Sequence, residues 1–264
     1  MVYLGIDIGS LSCDAVIIDS GGRILAWTVV PTGAKNLEAI ERARREVVTM
    51  VGIEPEAIAA VVSTGYGRDR VADRLSSVTE ISCHARGIIA LLPGTQLVVD
   101  IGGQDSKAIR LGEAGRVVDF AMNDKCAAGT GRFLEVMARV LEVDIGQLGE
   151  LDSSARESLT LSSTCTVFAE SEVVSAIADG AELSEIVSGI HRAIARRTVA
   201  LAKRVAPNLT DLKVAMSGGV ARNKGVVRAL GRALEVSISV PPEPDIVGAL
   251  GAALIARDKA TRAS

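Results

Sequence analysis

The chain has 264 residues, of which 48% are hydrophobic, a composition that supports a folded core and excludes a disordered protein. It carries 29 Lys and Arg against 32 Asp and Glu, and only 2% of its residues are aromatic. Without a basic excess or rings for base stacking, we expect no nucleic-acid partner. The longest nearly apolar run, 246–256, has 11 residues, fewer than the roughly 20 that a bilayer requires. The first residues also lack a signal peptide's basic region, so we expect a cytoplasmic protein without membrane contact.

The first predicted elements occur twice along the chain. Residues 4–24 align with residues 97–117 at an offset of 93, which places Asp7 and Gly9 on Asp100 and Gly102. Each copy shows three short apolar runs separated by glycine-containing turns, a pattern typical of a three-stranded meander. The repeat predicts two related lobes, each opening with such a meander.

Helical patterns follow each meander. Apolar spacing predicts helices over residues 37–50, 127–141 and 186–205, and a short strand over 213–216. Alternating strands and helices indicate the α/β class. We expect a first lobe over 1–95 and a second over 96–244. A final helix over 245–264, capped by Asp245, is expected to pack back on the first lobe.

Two turns are candidates for phosphate binding. Each places a carboxylate, Asp7 or Asp100, at a strand end and follows it with small residues whose backbone N–H groups can approach phosphate oxygens. The two aspartates are predicted as catalytic residues that hold Mg²⁺ through water, and Gln104 is predicted to orient an attacking water. The predicted nucleotide-binding residues are Ser10, Leu11, Ser12, Cys13, Asp14, Gly102, Gly103, Gln104, Gly218, Gly219 and Asp245.

Either turn alone is more typical of an ordinary hairpin. The chain has no GxxxxGK[ST] and no GxGxxG, which argues against a P-loop and against a Rossmann dinucleotide site. Two equivalent turns in a repeat, with a third Gly-Gly turn at 218–219, favour nucleotide binding. This arrangement resembles the actin, Hsp70 and sugar-kinase superfamily. The resemblance implies ATP in a cleft between two ribonuclease-H-like lobes.

The four cysteines fall into two groups. Cys13 and Cys83 are interpreted as small buried side chains, whereas Cys126 and Cys165 each precede a predicted helix whose positive end favours a thiolate. Two cysteines in one chain cannot complete a four-cysteine iron–sulfur site, but two chains related by a two-fold axis can. Composition alone does not choose among a cluster ligand, a redox thiol and a buried side chain.

Longer motifs resemble one family. The segments 63–68, 80–85, 100–105, 123–135 and 162–172 closely resemble the activators (component A) of 2-hydroxyglutaryl-CoA dehydratase, within the wider family of 2-hydroxyacyl-CoA dehydratase activators and benzoyl-CoA reductase ATPases. The resemblance implies a homodimer bridged by one [4Fe-4S] cluster, with Cys126 and Cys165 of each subunit as ligands. It also implies that ATP hydrolysis drives an electron from ferredoxin or flavodoxin onto a partner dehydratase.

The first phosphate turn departs from the family pattern Gly-Ser-Thr-x-x-Lys. Here Leu11 replaces the threonine hydroxyl and Asp14 replaces the lysine cation. We therefore predict weaker nucleotide binding, or slower turnover, than in a relative that carries Thr and Lys.

Movement of the lobes is expected to tilt the helix after Cys126 and so to change the dipole and solvent exposure at the cluster. Lys125 and Arg132 lie near Cys126 in the sequence and could offset the negative charge of a cluster, although surface solvation is the default interpretation, and His84 is expected to be structural. Four alternatives stay open at this point. They are a cluster-free metabolite kinase, a non-catalytic ATP-dependent binding or filament module, an ATPase subunit of a benzoyl-CoA-type reductase, and an activator of another low-potential enzyme.

Overall fold

Two five-stranded sheets form the framework of the protein, which is a computed structural model describing residues 1–156, 159–161, 165–209 and 211–263. The first sheet contains β1 (Val2–Ile8), β2 (Ser12–Asp19), β3 (Ile24–Pro31), β4 (Ile58–Gly65) and β5 (Ser76–Ser77). The second contains β6 (Leu97–Ile101), β7 (Ser106–Leu111), β8 (Val117–Asn123), β9 (Val214–Ser217) and β10 (Ile238–Ser239).

The strand order confirms the repeat that the sequence predicts. The sheets read β3-β2-β1-β4-β5 and β8-β7-β6-β9-β10, so each meander occupies the same positions in its own sheet. The meander strands pair antiparallel, and the last two strands of each sheet join in parallel. The mixed α/β class is therefore confirmed.

Eight α-helices surround the two sheets in the described part of the chain. They are α1 (Asn36–Val51), α2 (Glu80–Leu91), α3 (Gly131–Val140), α4 (Leu148–Leu151), α5 (Thr166–Ala178), α6 (Leu183–Val205), α7 (Lys224–Leu234) and α8 (Val247–Ala263). No described helix is long and apolar enough to cross a membrane.

The first sheet is covered on both faces. Ile40 and Val47 of α1 pack on one face, and Ala249 and Ala253 of α8 pack on the other. The contact with α8 is so close that a Cβ at Gly5 of β1 would lie 2.0 Å from the Ala249 carbonyl oxygen. A side chain at this position is therefore excluded by the packing of the helix on the strand.

A separate apolar cluster joins the two lobes. Ile81 and Ile88 of α2 pack with Val98 of β6, Ile109 of β7 and Val247 of α8. Helix α2 follows the first sheet in the chain and yet contributes to burying one face of the second. It therefore crosses between the lobes at the base of the cleft, where its polar side chains meet the functional site.

Two predicted boundaries are wrong. The helix expected from residue 127 begins at Gly131, because Thr130 Oγ1 and N–H both bond to the Ala127 carbonyl and Gly129 has φ +94°. These contacts form a tight turn before the helix. Helix α8 begins at Val247, and the carboxylate expected to cap it, that of Asp245, instead pairs with Arg222.

Candidate functional site

A cavity of about 530 Å³ lies between the two sheets, within the usual size range of small-molecule sites. The residues from the sequence prediction that line it are Asp7, Ser10, Leu11, Ser12, Asp14, Asp100, Gly102, Gly103, Gly218, Gly219 and Asp245. The carboxyl ends of the central strands β1 and β6 both open into this cavity. The fold therefore brings residues from both halves of the chain to one place.

The two candidate phosphate turns share the same backbone hydrogen bond. Gly9 N–H donates to the Ser12 carbonyl at 2.9 Å, and Gly102 N–H donates to the Asp105 carbonyl at 3.0 Å. The donors and the acceptors occupy equivalent positions in the repeat. Both turns thus have matching closed geometry, with small residues facing the cavity.

Each aspartate is packed against a glycine at the carboxyl end of the neighbouring parallel strand, where Gly65 ends β4 and Gly218 directly follows β9. A Cβ at Gly65 would lie 2.4 Å from Asp7 Oδ1, and a Cβ at Gly218 would lie 2.8 Å from Asp100 Oδ1. Both glycines have positive φ, +83° and +80°. Glycine is therefore required at each position for two reasons. The backbone has positive φ, and the aspartate carboxylate occupies the space that a Cβ would need.

His84 of α2 lies between the two aspartates, a position that local sequence patterns do not reveal. Its Nδ1 is 3.3 Å from Asp100 Oδ1 and 3.2 Å from Ser217 Oγ, while its Nε2 is 3.8 Å from Asp7 Oδ2. The side chain is 5% exposed. It thus connects the carboxylates of the two lobes from beneath the cleft.

Lys107 of β7 neutralises the second lobe's side of the site. Its Nζ lies 2.9 Å from Asp105 Oδ1, 3.1 Å from Asp100 Oδ2 and 3.5 Å from Glu80 Oε2, in a side chain that is 2% exposed. Burial opposes the charged form of Asp100, but His84 and Lys107 outweigh it and lower the pKa of that carboxyl. Asp100 is therefore ionised at neutral pH.

Asp14 of β2 has a different environment. It pairs directly with Asp7 across β1 and β2, so that the two side chains share a face of the sheet. Burial, followed by the charges of Asp7 and Asp245, raises the pKa of Asp14 well above its ordinary value. Ser12 Oγ donates to one carboxyl oxygen at 3.3 Å, but the other, Oδ1, has no hydrogen-bond partner.

Two predicted residues lie outside the cavity lining. Gln104 is exposed at the tip of the second turn. Cys13 is completely buried and packs with Leu4 and Ile40 in the core beneath α1, because its side chain lies on the opposite face of β2 from its neighbours Ser12 and Asp14. Burial also raises the pKa of the Cys13 thiol, which keeps the side chain neutral.

The third turn forms the far wall of the cavity. Gly218 N–H donates to the Pro244 carbonyl at 2.9 Å, which holds the turn against the segment that enters α8. Arg222 pairs with Asp245 and, at 2.6 Å, with Glu243. Among the cavity-lining residues, Arg222 is a cation that the sequence prediction missed.

The second turn is joined directly to α3. Gly131 N–H donates to the Gly102 carbonyl and Arg132 N–H donates to the Gly103 carbonyl, both at 2.9 Å. The first two residues of the helix are therefore fixed to the turn by their otherwise unpaired N–H groups. The second phosphate turn is therefore hydrogen-bonded directly to the start of the helix that follows Cys126.

Cys126 is half-buried and lies five residues before α3, so it is not at the helix end where the sequence pattern placed it. Arg197 of α6 contacts this cysteine, since its Nη1 is 3.5 Å from Cys126 Sγ and 3.2 Å from the Ala128 carbonyl oxygen. The predicted cation Arg132 instead pairs with Glu135 at 2.9 Å. The Arg197 guanidinium thus lies directly beside the Cys126 sulfur.

Cys165 is exposed and precedes α5 directly. The same helix carries four exposed apolar side chains, Val167, Phe168, Val174 and Ile177. Residues 162–164, which begin the motif around Cys165, lie outside the described residues. Within the described ranges no three His, Cys, Asp or Glu side chains are grouped as a metal site, so the two cysteines do not form a complete site within one chain.

The chain is similar over its whole length to proteins named as dehydratase activators. It is 47% identical over 262 residues to an activator of lactoyl-CoA dehydratase from Anaerotignum propionicum, covering 99% of this chain and 100% of the relative. The structure of the activator of 2-hydroxyisocaproyl-CoA dehydratase from Clostridium difficile, with bound ADPNP, aligns with a TM-score of 0.93 at 44% identity, covering 100% and 97% of the two chains. Component A of the (R)-2-hydroxyglutaryl-CoA dehydratase from Acidaminococcus fermentans aligns with a TM-score of 0.94 at 43% identity, covering 99% of each.

More distant matches bear on the alternatives. A subunit of the benzoyl-CoA reductase from Thauera aromatica is 31% identical over 268 residues, covering 96% of this chain and 92% of the relative. A ROK-family glucokinase from Streptomyces griseus aligns with a TM-score of 0.62 at 15% identity, covering 98% and 100% of the two chains, which shows a shared fold alone. The fold is thus that of the actin, Hsp70 and sugar-kinase type.

The family assignment rests on nearly the whole chain. The model of the BadF/BadG/BcrA/BcrD ATPase family matches residues 4–256, a range that includes both turns, both lobes and all four cysteines. The resemblance identified in the sequence motifs is confirmed, and the chain belongs to the BadF/BadG/BcrA/BcrD ATPase family.

Proposed function

We propose that this protein is an ATP-hydrolysing iron–sulfur activator that transfers a low-potential electron to a 2-hydroxyacyl-CoA dehydratase. One observation carries the proposal. The second phosphate turn is hydrogen-bonded through Gly131 and Arg132 to the helix that follows Cys126, so the nucleotide site and the cysteine segment are mechanically joined. A cluster-free kinase has no need for this connection.

ATP binds in the cleft, with its phosphates against the turns that begin at Gly9 and Gly102. The ADPNP bound to the Clostridium difficile relative supports this placement. Asp7 and Asp100 hold Mg²⁺ through water, consistent with the preference of Mg²⁺ for carboxylate and water oxygens. Asp100 is the carboxylate kept ionised by its neighbours, and Gln104 orients the attacking water after its exposed side chain turns towards the cleft.

Cys126 and Cys165 fit an iron–sulfur site shared by two copies of the chain. Each copy supplies two thiols, one beside the Arg197 guanidinium and one exposed at the start of α5. The exposed apolar side chains of α5 are suited to burial against a second copy. A [4Fe-4S] cluster held by these four cysteines supplies one-electron transfer. Arg197 offsets the negative charge of the thiolates.

The partners proposed are a second copy of the chain, ferredoxin or flavodoxin as electron donor, and the dehydratase as acceptor. A reducing cytoplasm suits both the thiols and the donor. The activator function is favoured over a reductase subunit because identity to the lactoyl-CoA dehydratase activator is 47%, against 31% to the benzoyl-CoA reductase subunit.

Anaerobic purification with iron, sulfide and subunit counting tests the proposal. We expect about four iron atoms for every two chains, and ATP-dependent activation of a 2-hydroxyacyl-CoA dehydratase. Cys126→Ser and Cys165→Ser should each lose the iron, whereas Cys13→Ala, which changes a cysteine buried in the core, should retain it. Iron-free protein from air-protected cells, or full iron loading of the double serine variant, would contradict the proposal.

The same preparation separates the two family functions. An activator should form its iron-containing dimer from this chain alone. A reductase subunit should hold iron only after a second, different chain is added.

A further inference from the structure

We infer that the nucleotide-loaded chain holds a second divalent cation of the Mg²⁺ class, bound by Asp14, in addition to the cation proposed for Asp7 and Asp100. This inference rests on the proposed nucleotide binding. It concerns the first phosphate turn, where the chain carries an acidic residue on β2.

The Asp14 carboxylate has an unused ligand atom at the cavity. The residue is 6% exposed and lines the cleft, and its Oδ1 has no hydrogen-bond partner. Leaving a buried carboxylate oxygen unpaired costs free energy, so the native complex is expected to supply a partner. A hard cation is a suitable partner for this oxygen.

Comparison of the two repeats shows that the first lobe has no cation at the position of Lys107. Asp14 occupies the position that Lys107 occupies in the second lobe, since both face the equivalent aspartate across the first two strands of their meanders. Lys107 forms ion pairs with three carboxylates. Among the described residues, no lysine, arginine or histidine forms an ion pair with Asp14.

A bound polyphosphate increases this imbalance. Its charges would be added to those of Asp7, Asp14 and Asp245, whose carboxylates already line the cleft. The ion pair between Asp245 and Arg222 places that guanidinium at the third turn. A cation between Asp14 and the phosphates removes the repulsion and uses the free oxygen at the same time.

The chain alone does not supply a full ligand set. Among the described residues, no three His, Cys, Asp or Glu side chains form a group that could hold a metal ion by themselves. Phosphate oxygens and water must therefore complete the coordination, as is usual for Mg²⁺ at nucleotide sites. The second cation should accordingly bind with the nucleotide and not before it.

Mn²⁺ is used as the probe cation because the number of ions bound per chain can be counted. Mn²⁺ binding is measured by electron paramagnetic resonance on the anaerobic protein, with and without a non-hydrolysable ATP analogue, and analogue binding is measured in parallel. We expect about two Mn²⁺ ions per wild-type chain when the analogue is bound. Asp14→Lys places an ammonium group in the site, so this variant should bind the analogue together with about one Mn²⁺ ion per chain. Asp19→Asn, the same strand's exposed acid paired with Arg23, should keep both ions.

Asp14→Asn provides a second variant that keeps the shape of the side chain, in case the lysine variant does not fold. It should also lose the second ion. One Mn²⁺ per analogue-loaded wild-type chain, or two in Asp14→Asn, would overturn the inference. No analogue binding to any form would overturn the proposed function as well, which distinguishes the two failures.

Discussion

The two lobes share strand order and turn geometry but differ in charge at one position. In the second lobe Asp100 faces Lys107, and in the first Asp7 faces Asp14. The second lobe therefore carries its own counter-charge, whereas the first lobe presents two carboxylates on one face of its sheet. The backbone hydrogen bonds of the turns are unaffected, since both turns close in the same way.

This difference separates the roles of backbone and side chain in the repeat. Turn geometry depends on small residues and on matching hydrogen bonds, which both lobes have kept. Electrostatic balance depends on single side chains, and these have diverged. The burial of Asp7 raises its pKa despite the proximity of His84 and Lys107, whereas the same two neighbours outweigh burial at Asp100 and lower the pKa of that carboxyl.

The largest effect is expected from removing the second lobe's cation. Lys107→Met leaves Asp100, Asp105 and Glu80 without their common partner, so the free energy of unfolding should fall by about 3–5 kcal/mol. Urea denaturation measures the change. Lys35→Met, which breaks an exposed pair with Glu38, should change stability by less than about 1 kcal/mol. Equal losses of stability in the two variants would show that Lys107 is not the stabilising counter-charge that distinguishes the second lobe from the first.

Substitutions at Gly65 and Gly218, the glycines beside the two aspartates, test whether the backbone has the same requirement in both lobes. Gly65→Ala and Gly218→Ala each introduce a methyl group against a carboxylate at positive φ, so each should cost about 2–3 kcal/mol and weaken nucleotide binding about tenfold or more. Calorimetry measures the loss of stability, and titration with a non-hydrolysable ATP analogue measures the loss of affinity. Gly33→Ala has positive φ and open space, so it should cost only about 1 kcal/mol. A harmless Gly218→Ala would show that the carboxylate position is not fixed.

Asp14 gives the first lobe a distinct pH dependence. Because its folded-state pKa lies above the ordinary value of 3.8, the stability it contributes is complete below that pH and is lost as pH rises through the folded pKa. Asp14→Asn removes this loss. The variant should therefore be more stable than the nucleotide-free wild type at neutral pH, and the gain should shrink towards pH 4. Urea denaturation across this range checks the trend, and a gain independent of pH would contradict it.

Restoring the family residues should have the smallest effect on free energy. The side chain of Leu11 lies close enough to Gly103 that a Cβ there would approach it to 2.5 Å, so this leucine bridges the two turns where phosphate is expected. Leu11→Thr with Asp14→Lys should tighten analogue binding about tenfold, or about 1.4 kcal/mol. An unchanged affinity and an unchanged turnover would refute the prediction that these two replacements weaken the site.

The sequence was sufficient for the features that are local or repeated. The repeat predicts the two meanders, and apolar spacing identifies α3, in which Phe133 and Met137 are buried. The structure also brings both turns and both aspartates to one cavity. The meanders and the helix depend on neighbours a few residues apart, and the shared cavity was predicted because the two turns hold equivalent places in the repeat.

Contacts between distant parts of the chain were not accessible in this way. His84 meets Ser217, 133 residues away, and Arg197 meets Cys126, 71 residues away. Arg197 lies in a run of basic residues typical of a solvated helix face, so no local signal marks it. The start of α3 was misplaced because helix propensity in 127–130 is overridden by the turn at Gly129 and by the hydrogen bonds to the second phosphate turn.

The packing of α8 on β1 has a consequence for biosynthesis. The helix that fills one face of the first sheet follows the entire second lobe in the chain, so the ribosome produces the second lobe's strands before this half of the first lobe's core exists. The nascent first lobe must keep Gly5 and its apolar neighbours uncovered until α8 emerges, an interval in which chaperones have access to that surface.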